Sequence, residues 1–138
     1  MSDGWAGDEM REQAGCLADE NTKLKQAIKD GWVSLVTQLA NTIHQEAVAH
    51  GFYPNGIRNE AECIALMHSE LSEALEGLRH GNGTGEHIPE FSQVEEELAD
   101  CLIRIFDYAG WKRLRLAEAM LAKMAFNKTR PLKHGKNF

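Results

Sequence analysis

Ser92-Gln93-Val94-Glu95-Glu96-Glu97-Leu98-Ala99-Asp100-Cys101-Leu102-Ile103-Arg104-Ile105-Phe106 holds a helix start and a helix face in one run. Ser92 can cap, and Glu95 follows three positions later, the spacing at which each side chain takes the other residue's amide. Val94, Leu98, Leu102, Ile105 and Phe106 recur at steps of three and four. That predicts a helix to about Ala109, closed by Gly110. Alternating strand patterns are almost absent from the chain, so the run sets an all-α reading.

Working outward, Gly81-Asn82-Gly83-Thr84-Gly85 precedes this helix, in a loop that continues past Pro89. It lacks the Lys-Ser/Thr pair and the preceding strand of a phosphate-binding loop, so it reads as a flexible connection. Before it, Asn59 caps a second helical pattern, with Glu62 at the capping-box spacing and Ile64, Met67, Leu71, Ala74 and Leu78 as its buried arc. Gly51-Phe52-Tyr53-Pro54-Asn55-Gly56 ends an earlier helix at about His50. Its stripe is Trp32, Val36, Leu39, Ile43 and Ala47, and Asn21 is its earliest plausible cap, with Gly31 counting against so long a helix. Residues 1–20, with Gly4, Gly7 and Gly15, read as a flexible arm, and residues 21–138 as one helical domain. On the C-terminal side, Arg113 to Asn127 forms a fourth helix with Leu116, Met120, Leu121 and Met124 inside, stopped by Pro131. Four helices with short connections predict a bundle.

Composition narrows the function classes. With 138 residues, 43% hydrophobic and 26% charged, the chain fits one globular domain. The formal charge of −6, from 21 acids against 15 bases, disfavours a nucleic-acid partner. A small phosphate ligand remains open, because a cation and the locally basic stretch from Lys112 to Lys136 can override the global field. Cys16, Cys63 and Cys101 are too few and too scattered for a disulfide framework or a zinc knuckle. Cys63 and Cys101 read as small buried hydrophobes in a reducing cytoplasm. No signal-peptide pattern opens the chain and no apolar run spans a bilayer, so a cytoplasmic protein without membrane partners is expected.

The chemistry-bearing letters are acids. Glu70 and Glu73 project within about 60° of one another on the second helix, bordering its apolar arc. Glu97 and Asp100 do the same on the third, next to Arg104 and Asp107. Should the two helices pack antiparallel, four carboxylates face each other. Each pair at 4 Å repels by about 1 kcal/mol in water and about 4 kcal/mol near a protein surface. Such a cluster needs a multivalent cation or takes up protons. Oxygen-only donors favour Mg²⁺, with Mn²⁺ as a substitute, and Mg²⁺ keeps positions for phosphate oxygens. A solvated helix face accounts equally well for either acidic pair taken alone.

The run from Ala65 to Glu76, which contains Glu70-Leu71-Ser72-Glu73, followed by Glu96-Glu97-Leu98-Ala99-Asp100-Cys101-Leu102-Ile103-Arg104, resembles the MazG-like family. These are all-α nucleoside triphosphate pyrophosphohydrolases whose signature is an E-x-x-E helix, a variable loop and an E-x-x-D helix. Lys123-Met124-Ala125-Phe126-Asn127-Lys128-Thr129-Arg130-Pro131 and Lys133-His134-Gly135-Lys136 resemble the family's phosphate-facing end. The similarity covers roughly Trp32 to Phe138; the N-terminal arm has no counterpart.

The resemblance implies a four-helix MazG fold assembling as a homodimer or homotetramer. It implies Mg²⁺ on Glu70, Glu73, Glu97 and Asp100, and substrate contacts from Lys123, Asn127 and Arg130, with Lys133 and Lys136 as lesser ones. Lys123 and Asn127 share a helix face, and Arg130 suits a forked phosphate contact, although a helix C-terminus also attracts cations to its dipole. The base pocket would draw on the first helix, through Trp32 or His44, although Trp32 suits core packing better. His68, near the edge of the buried arc, reads as a packing or hydrogen-bonded histidine rather than a base. The implied reaction is (d)NTP plus water to (d)NMP plus pyrophosphate, for adjusting the nucleotide pool, in the host cytoplasm if the source is viral. Water attacks the α-phosphorus, positioned or deprotonated by Glu70 or Glu73. Two rivals were weighed. A di-iron carboxylate bundle requires Glu-x-x-His, which none of the four acids begins. A non-catalytic helical oligomerisation module would use the same faces only for subunit contacts.

Overall fold

The computed structural model describes residues 5–132 as four helices: α1 (Trp5–Ala49), α2 (Glu60–Arg79), α3 (Gln93–Lys112) and α4 (Leu116–Lys128). A 3₁₀ turn, Pro54–Gly56, follows α1. Among the described residues there is no strand, and one isolated bridge pairs Thr84 with Ser92. The fold is all-α. No helix among the described residues is long and apolar enough to cross a membrane.

The chain divides into two units, Met1–Leu35 and Val36–Phe138. The first contains the N-terminal part of α1, which begins at Trp5 rather than near Asn21. Gly31 lies inside the helix with open space around it, so no side chain or backbone penalises its place there. Trp32 is 41% exposed in this unit, against the expectation that it packs in a core.

The second unit is organised by an antiparallel α2–α3 pair. Gly77 meets Gln93 near the connecting loop, Glu70 meets Arg104, the Cys101 thiol reaches the Met67 carbonyl, and Glu60 accepts from Lys112 at the far end. Falling numbers on α2 thus meet rising numbers on α3. Both helix starts follow the local letters. Asn59 Oδ1 accepts from the Ala61 and Glu62 amides. Ser92 and Glu95 form the reciprocal capping box. The α3 end differs from the expectation: the helix runs on to Lys112, and Arg113 takes the left-handed conformation. Gly110 is buried inside α3, where a Cβ would collide with the Ala40 carbonyl of α1.

The buried faces also differ from the apolar stripes. On α2 the buried residues are Cys63, Glu70, Ala74 and Gly77; on α3 they are Glu96, Cys101, Asp107, Ala109 and Gly110. Small residues let the helices approach closely, while Ile64, Leu71, Leu75, Leu78, Leu98 and Leu102 stay exposed in the single chain. On α4 only Ala117 is buried, and Met120 and Met124 are exposed. Cys63 and Cys101 are buried free thiols, as read from the sequence. The side chain of Cys16 lies outside the described residues. His68 is exposed, which corrects the packing alternative.

The Gly81–Gly85 connection is tied down by hydrogen bonds. Asn82 donates its amide to the Gly77 carbonyl and accepts from Val94 through Oδ1; the Gly85 and Gln93 amides donate to the Phe91 and Gly83 carbonyls. At Gly85 a Cβ would meet the Glu96 carboxylate, so a side chain there would have to displace Glu96.

Candidate metal centre and adjoining cavity

The antiparallel register places the second turn of α3 beside the middle of α2. One oxygen from each of Glu70, Glu97 and Asp100 lies within 4.8 Å of the others. Glu70 is buried, Glu97 half-buried and Asp100 exposed. Glu73 stands outside this trio, but its charge acts on Glu97. Burial, reinforced by the charges of Glu73, Glu70 and Asp100, raises the Glu97 pKa above the ordinary carboxylate range. Burial and Glu70 likewise raise Asp100, with Arg104 acting the other way. Arg104 donates through Nε to Glu70 Oε1 at 2.5 Å. Charge of one sign is therefore concentrated where a hard cation would find three carboxylate donors.

A cavity of about 420 Å³ adjoins the trio, with Asp100 and Arg104 in its wall. Ile43, Phe52, Leu66 and Ile103 supply apolar surface, and Arg58 and Asp107 a second charged group. Asp107 is buried and accepts from His44 Nδ1 at 2.9 Å, with Arg58 3.6 Å from its other oxygen. The His44 ring stands edge-on to Tyr53, with centroids 4.7 Å apart. Burial, then the neighbouring Asp107, pushes the Tyr53 hydroxyl well above the usual phenol range, and it has no hydrogen-bond partner among the described residues. His44 is thus committed to an interior network, and it does not wall the cavity beside the acids.

The neighbouring loop is pinned to the same helix. Glu96, adjacent to Glu97 in sequence, accepts from the His87 amide and pairs with His87 Nδ1 at 2.7 Å. The hydrogen bond to Glu96 raises the His87 pKa, and the same bond lowers that of Glu96.

The expected phosphate contacts lie on and beyond α4. Lys123 and Arg130 sit over the Phe126 ring, at 4.9 and 6.0 Å from its centroid, and Asn127 is exposed. Among the described residues neither cation pairs with the acidic trio. Lys133 and Lys136 lie outside the described residues. Trp32 belongs to the N-terminal unit and is exposed.

Sequence reasoning reached the trio through helical spacing. It placed Arg104 and Asp107 beside Glu97 and Asp100 but had no means of seeing that Asp107 is buried. Arg58 was missed, since it lies between elements, where no periodicity marks it. Compared with known protein families, curated proteins and solved structures, the chain has no match.

Proposed function

We propose that this protein is a Mg²⁺-dependent nucleoside triphosphate pyrophosphohydrolase that cleaves (d)NTPs to (d)NMP and pyrophosphate. The observation that carries the reading is the convergence of Glu70, Glu97 and Asp100 from two antiparallel helices at the edge of a cavity. The donor set is all oxygen and carries more negative charge than its partner Arg104 offsets, which suits Mg²⁺, or Mn²⁺ in its place. Glu70, Glu97 and Asp100 would hold the ion, with Glu73 beside them. When bound, it neutralises charge on the phosphate oxygens.

The chain's own groups divide the remaining work. Ile43, Phe52, Leu66 and Ile103 offer apolar surface for the nucleoside. Glu70 or Glu73 positions the attacking water or takes its proton. Lys123 and Arg130 supply positive charge for the phosphates, and Asn127 a neutral amide for phosphate or sugar. The MazG-like signature read from the sequence supports the same assignment. The apolar residues left exposed on α2 and α3 favour a homodimer or homotetramer; a cytoplasmic location is part of the same proposal and follows from the sequence reading alone.

That exposed surface also suits a second reading, a helical assembly module without catalysis. Pyrophosphate release measured across the common NTPs and dNTPs, with and without Mg²⁺, separates the two. Release from the wild type that requires Mg²⁺, and that Glu73→Gln or Glu97→Gln abolishes without loss of helicity, is the expected outcome. Near-full activity in both variants, or no release from any nucleotide, sinks the proposal.

A further inference from the structure

Glu70 is buried and, among the described residues, has one charged partner, Arg104, whose Nε makes the contact. The same Arg104 side chain is 37% exposed and forms part of the cavity wall, next to Asp100. It therefore spans two environments: a buried carboxylate on one side and an open, charged cavity on the other. A guanidinium has five donors in a planar fork, and the bond to Glu70 uses the Nε donor, leaving the terminal nitrogens to other partners. A divalent cation that takes Glu70 as a ligand competes with that bond, because both positive groups seek the same oxygens and repel one another.

From this geometry we infer that Arg104 is the resident counter-ion of the carboxylate site, which yields Glu70 to a divalent cation and turns its guanidinium to the substrate's phosphate oxygens in the cavity. The inference rests on the metal site proposed above. Arg104 is a group of dual use. Without the ion it compensates a buried charge that would otherwise be costly. With the ion it is a free fork beside the place where phosphates gather. The arrangement couples nucleotide binding to metal binding, since the Nε contact to Glu70 fixes the orientation of the guanidinium until the ion arrives.

Titration calorimetry with Mn²⁺ alone, and then with a non-hydrolysable nucleoside triphosphate analogue in saturating Mn²⁺, tests this on wild type, Arg104→Met and Arg104→Lys. In Arg104→Met the competing charge is gone, so Mn²⁺ binds about tenfold tighter. The analogue binds at least about tenfold more weakly, because a forked phosphate contact is lost. Arg104→Lys keeps the charge but not the fork, so Mn²⁺ affinity stays within about threefold of wild type while analogue affinity falls. Helicity by circular dichroism checks each fold, and Arg104→Lys carries the test should Arg104→Met fail to fold. Unchanged or weaker Mn²⁺ binding in Arg104→Met, or unchanged analogue affinity in the folded variants, overturns the role of Arg104 while leaving the metal site standing. Failure of the wild type itself to bind Mn²⁺ overturns both.

Discussion

Replacing Glu97 with Gln is expected to stabilise the metal-free protein while removing its response to Mg²⁺. Glu97 lies within 4.8 Å of oxygens of both Glu70 and Asp100, giving two repulsive pairs. At that separation each pair is worth about 1 kcal/mol in a water-like medium and about 3 kcal/mol near a protein surface. Glu97 and Asp100 are partly open to solvent, and Arg104 offsets much of Glu70, so the net relief is discounted to about 1–2 kcal/mol. For a chain of this size that corresponds to a midpoint about 3–10 °C higher in EDTA. The pH dependence has a definite sign. Glu97 and Asp100 have folded pKa values raised above their unfolded ones, so the folded state holds these protons more tightly. Their contribution is fully present below the unfolded pKa and is lost as pH rises through the folded one. Glu97 and Asp100 therefore subtract stability from the metal-free protein as pH rises across and just above the carboxylate range, and Glu97→Gln removes the share of Glu97 from the wild-type pH profile. Millimolar Mg²⁺ raises the midpoint of the wild type and not that of the variant. Thermal unfolding by circular dichroism, in EDTA and in Mg²⁺ across pH, measures all of this. A variant less stable than wild type in EDTA, or a wild type indifferent to Mg²⁺, refutes the reasoning.

Gly110→Ala sets a methyl group against the Ala40 carbonyl and the His44 Cβ. Overpacking of about 3 kcal/mol, less about 1 kcal/mol of helix propensity, leaves a net loss of about 2 kcal/mol in urea unfolding; an unchanged midpoint speaks against the close α1–α3 approach. Asp107→Asn leaves Arg58 and His44 without their carboxylate, and chemical denaturation should register a loss of about 3 kcal/mol. Stability equal to wild type contradicts the buried network. Histidine NMR titration should give His87 a midpoint above the ordinary value, falling back to it in Glu96→Gln. The His87–Glu96 contribution is complete below the unfolded histidine pKa and is lost as pH rises through the raised folded one; a normal midpoint in wild type removes the loop anchor.

The starts of α2 and α3 were legible because capping is local: Asn59 and Ser92 each find donors within three residues. The convergence of Glu70, Glu97 and Asp100 was legible in part, since helical spacing gives each pair its face and antiparallel packing does the rest. Glu73 falls outside the trio, a difference that a projection angle does not resolve. The buried faces were misread for a physical reason. Periodicity finds the apolar stripe of a helix but not the surface that covers it, and here small residues such as Ala74, Gly77 and Ala109 make the contacts within the chain. Gly110 reads as a stop in the sequence because a glycine near a helix end has two uses, positive φ and close approach, and this one serves the second. Asp107 and Arg58 depend on contacts across the fold, between residues far apart in the chain, and no local pattern encodes them.

Anomalous diffraction from crystals soaked in Mn²⁺ addresses the convergence of acids most directly. The account predicts a manganese peak bonded, at about 2.0–2.3 Å, to an oxygen of each of Glu70, Glu97 and Asp100. A peak held by other acids while these three stay unliganded, or no peak at a concentration that saturates any activity, would contradict it.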